Sequence, residues 1–240
     1  SGSSHLGFGA YATVALNNGG TIAGNWQWNG DSLLDFSSSG DSTNTITGLL
    51  NLRSDAGANH SFNVADGAAS VDLQINANLT DQYPEVWWLA ASHVVKTGAG
   101  TAVLAGSNSY DGVTDITSGM LTAAHSSALG AGGWSGANMT WIRNGATLAL
   151  QGGVSLGEHL HLLGTGVGGQ GALRSLSGNN ALTLTSGGSG SGPGFCFDGH
   201  TTVGVDADTL TVTGFYEDGG SFGLTKVGNG TLHINSSNNY

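Results

Sequence analysis

Acidic and histidine side chains are the groups in this sequence that could do acid–base or metal chemistry. Asp206 and Asp208 are separated by one residue in VDADT, and side chains two apart in a strand face the same side. With Asp198 and His200 nearby in sequence, they could form a metal or acid–base site like those of β-helix polysaccharide-degrading enzymes. Solvated acids at a corner are the favoured interpretation, because the basic partners that such lyases need are scarce.

A pair of histidines is the second candidate. His159 and His161 in EHLHLL would share one face of a strand, with Glu158 on the other. Two ligands of one kind at this spacing form only half of a metal site, and a polar outer face of an apolar strand explains them more simply. No Ser-His-Asp arrangement can be selected among so many serines. The sequence therefore predicts no catalytic residue, no metal site and no cofactor.

Cys196 is the single cysteine of the chain, so it cannot form an intrachain disulfide. It lies between two phenylalanines in FCFDG, within a strand-like run. A catalytic thiol is one interpretation. A small, buried apolar residue is the favoured one.

Six tryptophans are prominent in a chain that is otherwise poor in large side chains. Trp26 and Trp28 lie two apart in NWQW, and Trp87 and Trp88 are adjacent in DQYPEVWWLAAS. Stacking on sugars, a cap or contact surface, and core filling all stay open as interpretations. Exposed aromatic patches more often mark a protein interface than a sugar site, so we expect these four residues at an interface.

The charge balance excludes several kinds of partner. Five basic residues face sixteen acidic ones, which gives a net charge of −11. No basic stripe can neutralise phosphates, so nucleic acid and anionic membrane surfaces are excluded as partners. The longest apolar run, VWWLAA, is too short to insert into a bilayer. The Gly-, Ser-, Asn- and Thr-rich composition is typical of a secreted bacterial surface protein.

Short strands must position these side chains. Alternating runs such as TLAL, ALTLT and TLTVT recur between Gly, Asn-Gly and Asp-Gly, whereas glycine and β-branched residues disfavour helix throughout. This spacing suits a sandwich, a barrel or a β-solenoid. An internal repeat favours the solenoid, with glycine and asparagine at corners where φ is positive.

The repeat joins residues 94–110 to residues 224–240. Aligned without gaps, the two segments share seven of seventeen residues. The shared pairs are Lys96/Lys226, Gly98/Gly228, Gly100/Gly230, Thr101/Thr231, Ser107/Ser237, Asn108/Asn238 and Tyr110/Tyr240.

Both copies resemble a known family. KTGAGTAVLAGSNSYDGVTDITSGMLTAAHSSALG and KVGNGTLHINSSNNY are similar to the autotransporter-associated β-strand repeat, a Lys-x-Gly-x-Gly-Thr-Leu-x-Leu-Ser-Gly-x-Asn-x-Tyr run followed by further strands. The resemblance implies an all-β, right-handed parallel β-helix, exported as a passenger to the bacterial cell surface or the extracellular space. At roughly 20–25 residues for each full turn, or rung, we expect about ten rungs and essentially no α-helix.

We expect one β-helix domain over residues 1–240. It would contain two related modules, about 42–130 and 141–240, after a weaker N-terminal segment, 1–41.

The second copy stops at Tyr240, whereas the first continues past Tyr110. Either the chain was cut from a longer passenger, or a neighbouring subunit completes the open rung through strand addition. We expect a non-enzymatic structural protein that stacks head-to-tail into a filament. A monomeric adhesin passenger that binds surface glycans or host ligands, and a carbohydrate-active β-helix, are the alternatives. The expected interface residues are Trp26, Trp28, Trp87, Trp88, Lys226, Asn238 and Tyr240.

Overall fold

The computed structural model describes residues 11–27, 33–52, 57–81, 91–131, 138–183, 195–213, 215–217 and 220–235. These residues form β-strands and a single 3₁₀ turn at Val167–Gly169. None of the described residues lies in an α-helix, and none of their helical segments could cross a bilayer. The expected all-β architecture is confirmed.

The described strands are β1 (Tyr11–Asn17), β2 (Thr21–Gln27), β3 (Leu33–Ser39), β4 (Asn44–Asn51), β5 (Asn59–Val64), β6 (Leu73–Ile75), β7 (Asn78–Thr80), β8 (His93–Thr97), β9 (Thr101–Leu104), β10 (Thr114–Ile116), β11 (Met120–Ala123), β12 (Thr140–Ile142), β13 (Thr147–Gln151), β14 (Ser155–Leu156), β15 (Leu160–Gly164), β16 (Leu173–Ser177), β17 (Asn180–Leu182), β18 (Phe195–Val205), β19 (Thr209–Val212), β20 (Phe215–Glu217), β21 (Leu224–Val227) and β22 (Thr231–Ile234).

Strands of successive rungs stack in parallel ladders. The first ladder runs β1, β3, β5, β8, β10, β12, β15, β18, β20. The second runs β2, β4, β6, β9, β11, β13, β16, β18, β21. The third ladder joins β14, β17, β19 and β22. Parallel pairing between distant segments is the signature of a parallel β-solenoid, which confirms the predicted fold and excludes an antiparallel sandwich.

The rungs differ in length more than expected. Val94 pairs with Thr114, 20 residues later, whereas His161 pairs with Cys196, 35 residues later. The prediction of about ten rungs is therefore wrong, because it assigned roughly 20–25 residues to every rung.

The core consists of apolar side chains at matching positions on successive strands of a ladder. Along the second ladder, Ile46, Ile75, Leu104, Ala123 and Leu150 lie directly above one another, and each is at most 1% exposed. Strands pair at about 4.8 Å, so each apolar side chain contacts the one above and the one below. The alternation in the sequence follows from this arrangement, because every second side chain points into the stack.

Buried asparagines stabilise the corners. Asn44 accepts a hydrogen bond from the Gly20 N–H (2.8 Å), and Asn180 accepts from the Val154 N–H (2.9 Å). The prediction that corner asparagines supply positive φ is wrong for both. Among the described residues other than glycine, only Asn18 and Asp208 have positive φ. The buried asparagines instead satisfy backbone groups where the chain leaves the ladders.

Candidate functional site

A column of side chains runs along the outer face of the first ladder. Asp115, Trp141, His161 and Cys196 occupy the same position on β10, β12, β15 and β18, so they lie one above another. The first three are partly exposed between buried neighbours, whereas Cys196 is fully buried. Parallel stacking in register thus gathers polar and aromatic groups from different rungs on one surface.

His161, Asp198 and Cys196 form a tight cluster in this column. His161 Nδ1 lies 2.9 Å and 3.2 Å from the two carboxylate oxygens of Asp198. The Cys196 thiol donates to Asp198 Oδ1 at 3.4 Å. One nitrogen, one sulfur and one oxygen atom from these residues all lie within 4.8 Å of one another.

Trp141 and Arg143 cover the cluster on one side. The Trp141 ring stacks on the imidazole of His161, with ring centroids 3.8 Å apart. The Arg143 guanidinium lies 4.7 Å from the centroid of the Trp141 ring and donates to both Asp115 oxygens at 2.8 Å and 2.9 Å. The stacking limits rotation of the imidazole, and the Asp115 carboxylate offsets part of the Arg143 charge.

The environment favours the ionised carboxylate of Asp198. Burial alone would raise the pKa of Asp198, but the hydrogen bond and charge of His161, the Cys196 thiol and the Arg143 charge together lower it. Burial lowers the pKa of His159, and the adjacent His161 lowers it further. The two imidazole rings lie 5.1 Å apart. The cluster is therefore an anionic oxygen beside nitrogen and sulfur donors.

The order of these groups does not suit nucleophilic catalysis. In a Cys-His-Asp arrangement the imidazole must lie between the thiol and the carboxylate, so that it can accept the thiol proton. Here the carboxylate lies between the other two groups, and the sulfur is buried. The favoured interpretation of Cys196 as a buried residue is confirmed, but its thiol also has a polar partner.

Glu158 is a second unusual group nearby. Its side chain is buried and accepts a hydrogen bond from the Thr140 hydroxyl at 2.9 Å. Burial raises the pKa of Glu158 to about 8, although the Thr140 hydrogen bond opposes the shift. A recess of about 160 Å³ adjoins it, lined by Ser127, Gly130 and Gly157 among others. Glu158 therefore holds a proton at neutral pH.

The two acids of the candidate pair contact different partners. Asp206 pairs with Arg174 at 2.7 Å, whereas Asp208 accepts a hydrogen bond from the Gly178 N–H. Strand alternation does not apply to them, because β18 ends at Val205 and Asp208 has φ of 57°.

Asp198 and His200, which the sequence placed with that pair, also separate. Asp198 contacts His161, whereas the ring of His200 accepts the Gly223 N–H at 2.8 Å. The sequence indicates His161 and Cys196 as separate candidates but does not predict their cluster, because their pairing depends on a 35-residue rung. Cys196 and Asp198, two apart in FCFD, were the available signal.

The expected interface residues are only partly described. Trp26 is half-buried and lines an apolar pocket with Val14, Ile22, Phe36, Ile46 and Leu50 at the first rungs. Lys226 is exposed on β21. The positions of Trp28, Trp87, Trp88, Asn238 and Tyr240 lie outside the described residues.

The two copies of the repeat build the same corner. Gly98 and Gly228 have φ of 78° and 83°. The next glycine in each copy, Gly100 or Gly230, donates to a valine carbonyl of the preceding rung at 2.9 Å or 2.8 Å. The repeat is therefore a strand–corner–strand unit. Its two copies share this geometry although their strands do not belong to the same pair of ladders.

The lysine of each copy marks a difference between the corners. Lys96 is fully buried, and its ammonium donates to the carbonyls of Thr97 (2.9 Å), Gly98 (2.9 Å) and Ser118 (3.1 Å). Ser118 belongs to the following rung. Lys226 is exposed and donates to the Gly228 carbonyl. The buried lysine of the first copy thus ties one rung to the next.

The parallel ladders and the corner geometry define a β-helix repeat protein. In a comparison with known families, the passenger-associated-transport-repeat matches residues 94–123 and 224–240. No curated protein and no solved structure matches the chain. The match confirms the resemblance seen in the sequence: two segments of this β-solenoid carry the repeat, which supports an autotransporter passenger-type β-helix repeat protein. The repeat indicates a secreted or cell-surface protein.

Proposed function

We propose that this chain is a non-enzymatic structural segment at the cell surface, whose end rung accepts the first rung of a second copy and so builds a head-to-tail filament. The difference between Lys96 and Lys226 is the observation that supports the proposal. A further rung would give the exposed ammonium of Lys226 the acceptor that Ser118 gives Lys96.

The tyrosine of the repeat points to the same requirement. Tyr110 is fully buried, and its hydroxyl shares a 2.6 Å hydrogen bond with Thr114, the first residue of the next rung. Gly130, from that next rung, lies against its ring. The first copy of the repeat therefore completes its packing with residues of the following rung, and a second chain could supply the same contacts to the other copy.

Apolar side chains are incompletely covered at both ends of the described part of the solenoid. Phe222, Leu224, Leu232 and Ile234 pack against the core at the last rung but are only partly buried. At the first rung, Val14, Ile22 and Trp26 are partly buried as well. Covering these two surfaces with each other removes apolar area from water, which favours association.

The strands at the two ends are also compatible with one another. Among the described pairings, β1 and β2 pair only with the rung after them, and β20, β21 and β22 pair only with the rung before them. Setting β1 on β20 and β2 on β21 would continue the first two ladders without a change of chain direction. Such a contact joins different surfaces of the two copies, so it propagates.

The assembly test is a charge placed at the last rung. Leu232→Asp should leave a folded monomer, because Leu232 is only partly buried, but a carboxylate there opposes apolar stacking. Val167→Asp, at a 41% exposed site on the 3₁₀ turn, is the matched control and should still assemble. Sedimentation velocity and negative-stain microscopy over a range of concentrations measure rod length, and circular dichroism checks the fold.

The expected result is rods that lengthen with concentration in the unchanged protein and in Val167→Asp, with single particles in Leu232→Asp. A protein that stays monomeric at all concentrations would reject the filament and leave a monomeric passenger segment. Rods of unchanged length in Leu232→Asp would reject stacking through the last rung.

A further inference from the structure

The geometry points to a metal site: His161, Cys196 and Asp198 bind one Zn²⁺ ion through Nδ1, Sγ and a carboxylate oxygen. The sequence predicted no metal here. Two of the ligands are brought together by stacked rungs, and the third lies two residues from Cys196 on β18.

The ligand atoms are close to zinc spacing already. Zinc bonds of about 2.0–2.3 Å in a tetrahedral site separate the ligand atoms by roughly 3.3–3.8 Å. Cys196 Sγ lies 3.4 Å from Asp198 Oδ1, and His161 Nδ1 lies 2.9 Å from the same oxygen. Lengthening the second distance by about half an ångström, within the reach of a side-chain rotation, opens the position for the ion.

The donor set selects the class of metal. A thiolate, an imidazole and a carboxylate together suit zinc and neighbouring transition ions, whereas calcium requires six or more oxygen ligands. Three protein ligands leave a fourth position for water. The Asp198 side chain is 27% exposed, against 11% for His161, so the ion would enter past the carboxylate.

The surroundings hold the ligands in place. Trp141 stacks on the His161 ring and limits its rotation. Arg143 is the nearby cation that would repel a metal ion, but its bidentate contact with Asp115 neutralises much of its charge. The ring of His159 lies beside that of His161, with the two centroids 5.1 Å apart. Fixed ligands with a rigid surround increase metal affinity.

Proton release accompanies binding. The Cys196 thiol must lose its proton to form the zinc–sulfur bond, and the Nδ1 atom of His161 must carry no proton to form the zinc–nitrogen bond. Binding therefore releases at least the thiol proton to the solvent, and affinity rises with pH. His161 and Cys196 belong to successive rungs, and 35 residues separate them in the chain. The ion would therefore also link these two rungs directly.

Cobalt is the probe that separates this site from surface histidines, since only a thiolate ligand gives the near-ultraviolet sulfur-to-cobalt charge-transfer band. The full chain is titrated with Co²⁺ and then with Zn²⁺, which should displace it. We expect one ion per chain and the charge-transfer band. Cys196→Ser should lose the band, and Asp198→Asn should weaken binding at least about tenfold, the effect expected even for outer-shell partners.

His233→Gln removes an exposed histidine on β22 and should leave both the band and the affinity unchanged. His161→Gln provides a second ligand variant if Cys196→Ser fails to fold, and circular dichroism checks each variant. A folded protein that binds Co²⁺ without the band would overturn the proposal. Equal Zn²⁺ affinity in the unchanged protein and in the ligand variants would show adventitious binding only and would also overturn it.

Discussion

Replacing Glu158 with glutamine should raise the stability of this protein at alkaline pH but leave it nearly unchanged at acidic pH. Glu158 is 3% exposed, and burial raises its pKa from 4.5 to about 8. Glutamine has the same shape, and its amide oxygen can still accept the hydrogen bond from the Thr140 hydroxyl. The variant therefore removes the ionisation of Glu158 and little else.

The direction of this pH dependence follows from the number of protons bound in the folded and unfolded states. Between pH 4.5 and about 8 the unfolded chain loses the Glu158 proton while the folded chain keeps it. The folded state then binds more protons, so the free energy of unfolding falls as pH rises through this window, by up to about 1.4 kcal/mol per pH unit. Above the folded pKa both states are ionised and the loss is complete.

The full pKa shift of Glu158 corresponds to a loss of roughly 5 kcal/mol at most in the free energy of unfolding. Water in the recess beside Glu158 would relieve part of the penalty, so we expect a difference of about 2–4 kcal/mol between variant and unchanged protein at pH 9. At pH 4.5 the difference should be small.

Urea unfolding of both proteins between pH 4.5 and 9 provides the measurement. Other titrating groups are common to both proteins, so they cancel in the difference. Asp66→Asn, at an exposed position, is the control and should give a difference that does not change with pH. A Glu158→Gln difference that stays constant across the range would refute the proposed burial of the carboxyl group.

Two further predictions compare matched positions in unfolding experiments. Lys96→Ala should lower the free energy of unfolding by about 2–4 kcal/mol, because it leaves buried carbonyls without their donor. Lys226→Ala, at an exposed site, should lower it by less than about 0.5 kcal/mol. Equal losses would reject the role assigned to the buried lysine. Gly106→Ala should be strongly destabilising, because its new methyl group would overlap the carbonyl oxygen of Ala77. Gly157→Ala meets only ordinary contacts and should change the free energy of unfolding by about 1 kcal/mol or less. A tolerated alanine at position 106 would contradict the close stacking of rungs there.

Local patterns in the sequence predicted the fold well. Alternating apolar residues and the internal repeat favoured a β-solenoid, the family resemblance implied parallel strands, and the structure confirms both the ladders and the shared corner. These features are predictable because a corner depends on a few consecutive residues, and strand alternation has a fixed period. The number of rungs was not predictable in this way, because each rung can contain an insertion of different length.

Individual side chains were harder to predict than the strands that hold them. Asp206 and Asp208 were expected on one face, but the strand ends before them, so their spacing no longer fixes their direction. Asparagine was expected at corners for its backbone conformation, yet Asn44 and Asn180 act through buried side-chain hydrogen bonds. Both errors arise where local sequence rules meet contacts from another rung.

The sequence by itself determined that this chain forms short strands separated by glycine corners, and it carries two copies of a repeat whose resemblance implies a parallel β-helix, because strand period and corner glycines are local properties. Only the tertiary structure decided that His161 meets Asp198 and Cys196, and that Lys96 is buried while Lys226 is exposed. The physical reason is register. Which residues stack depends on the length of the chain between one rung and the next, and no single segment contains that information.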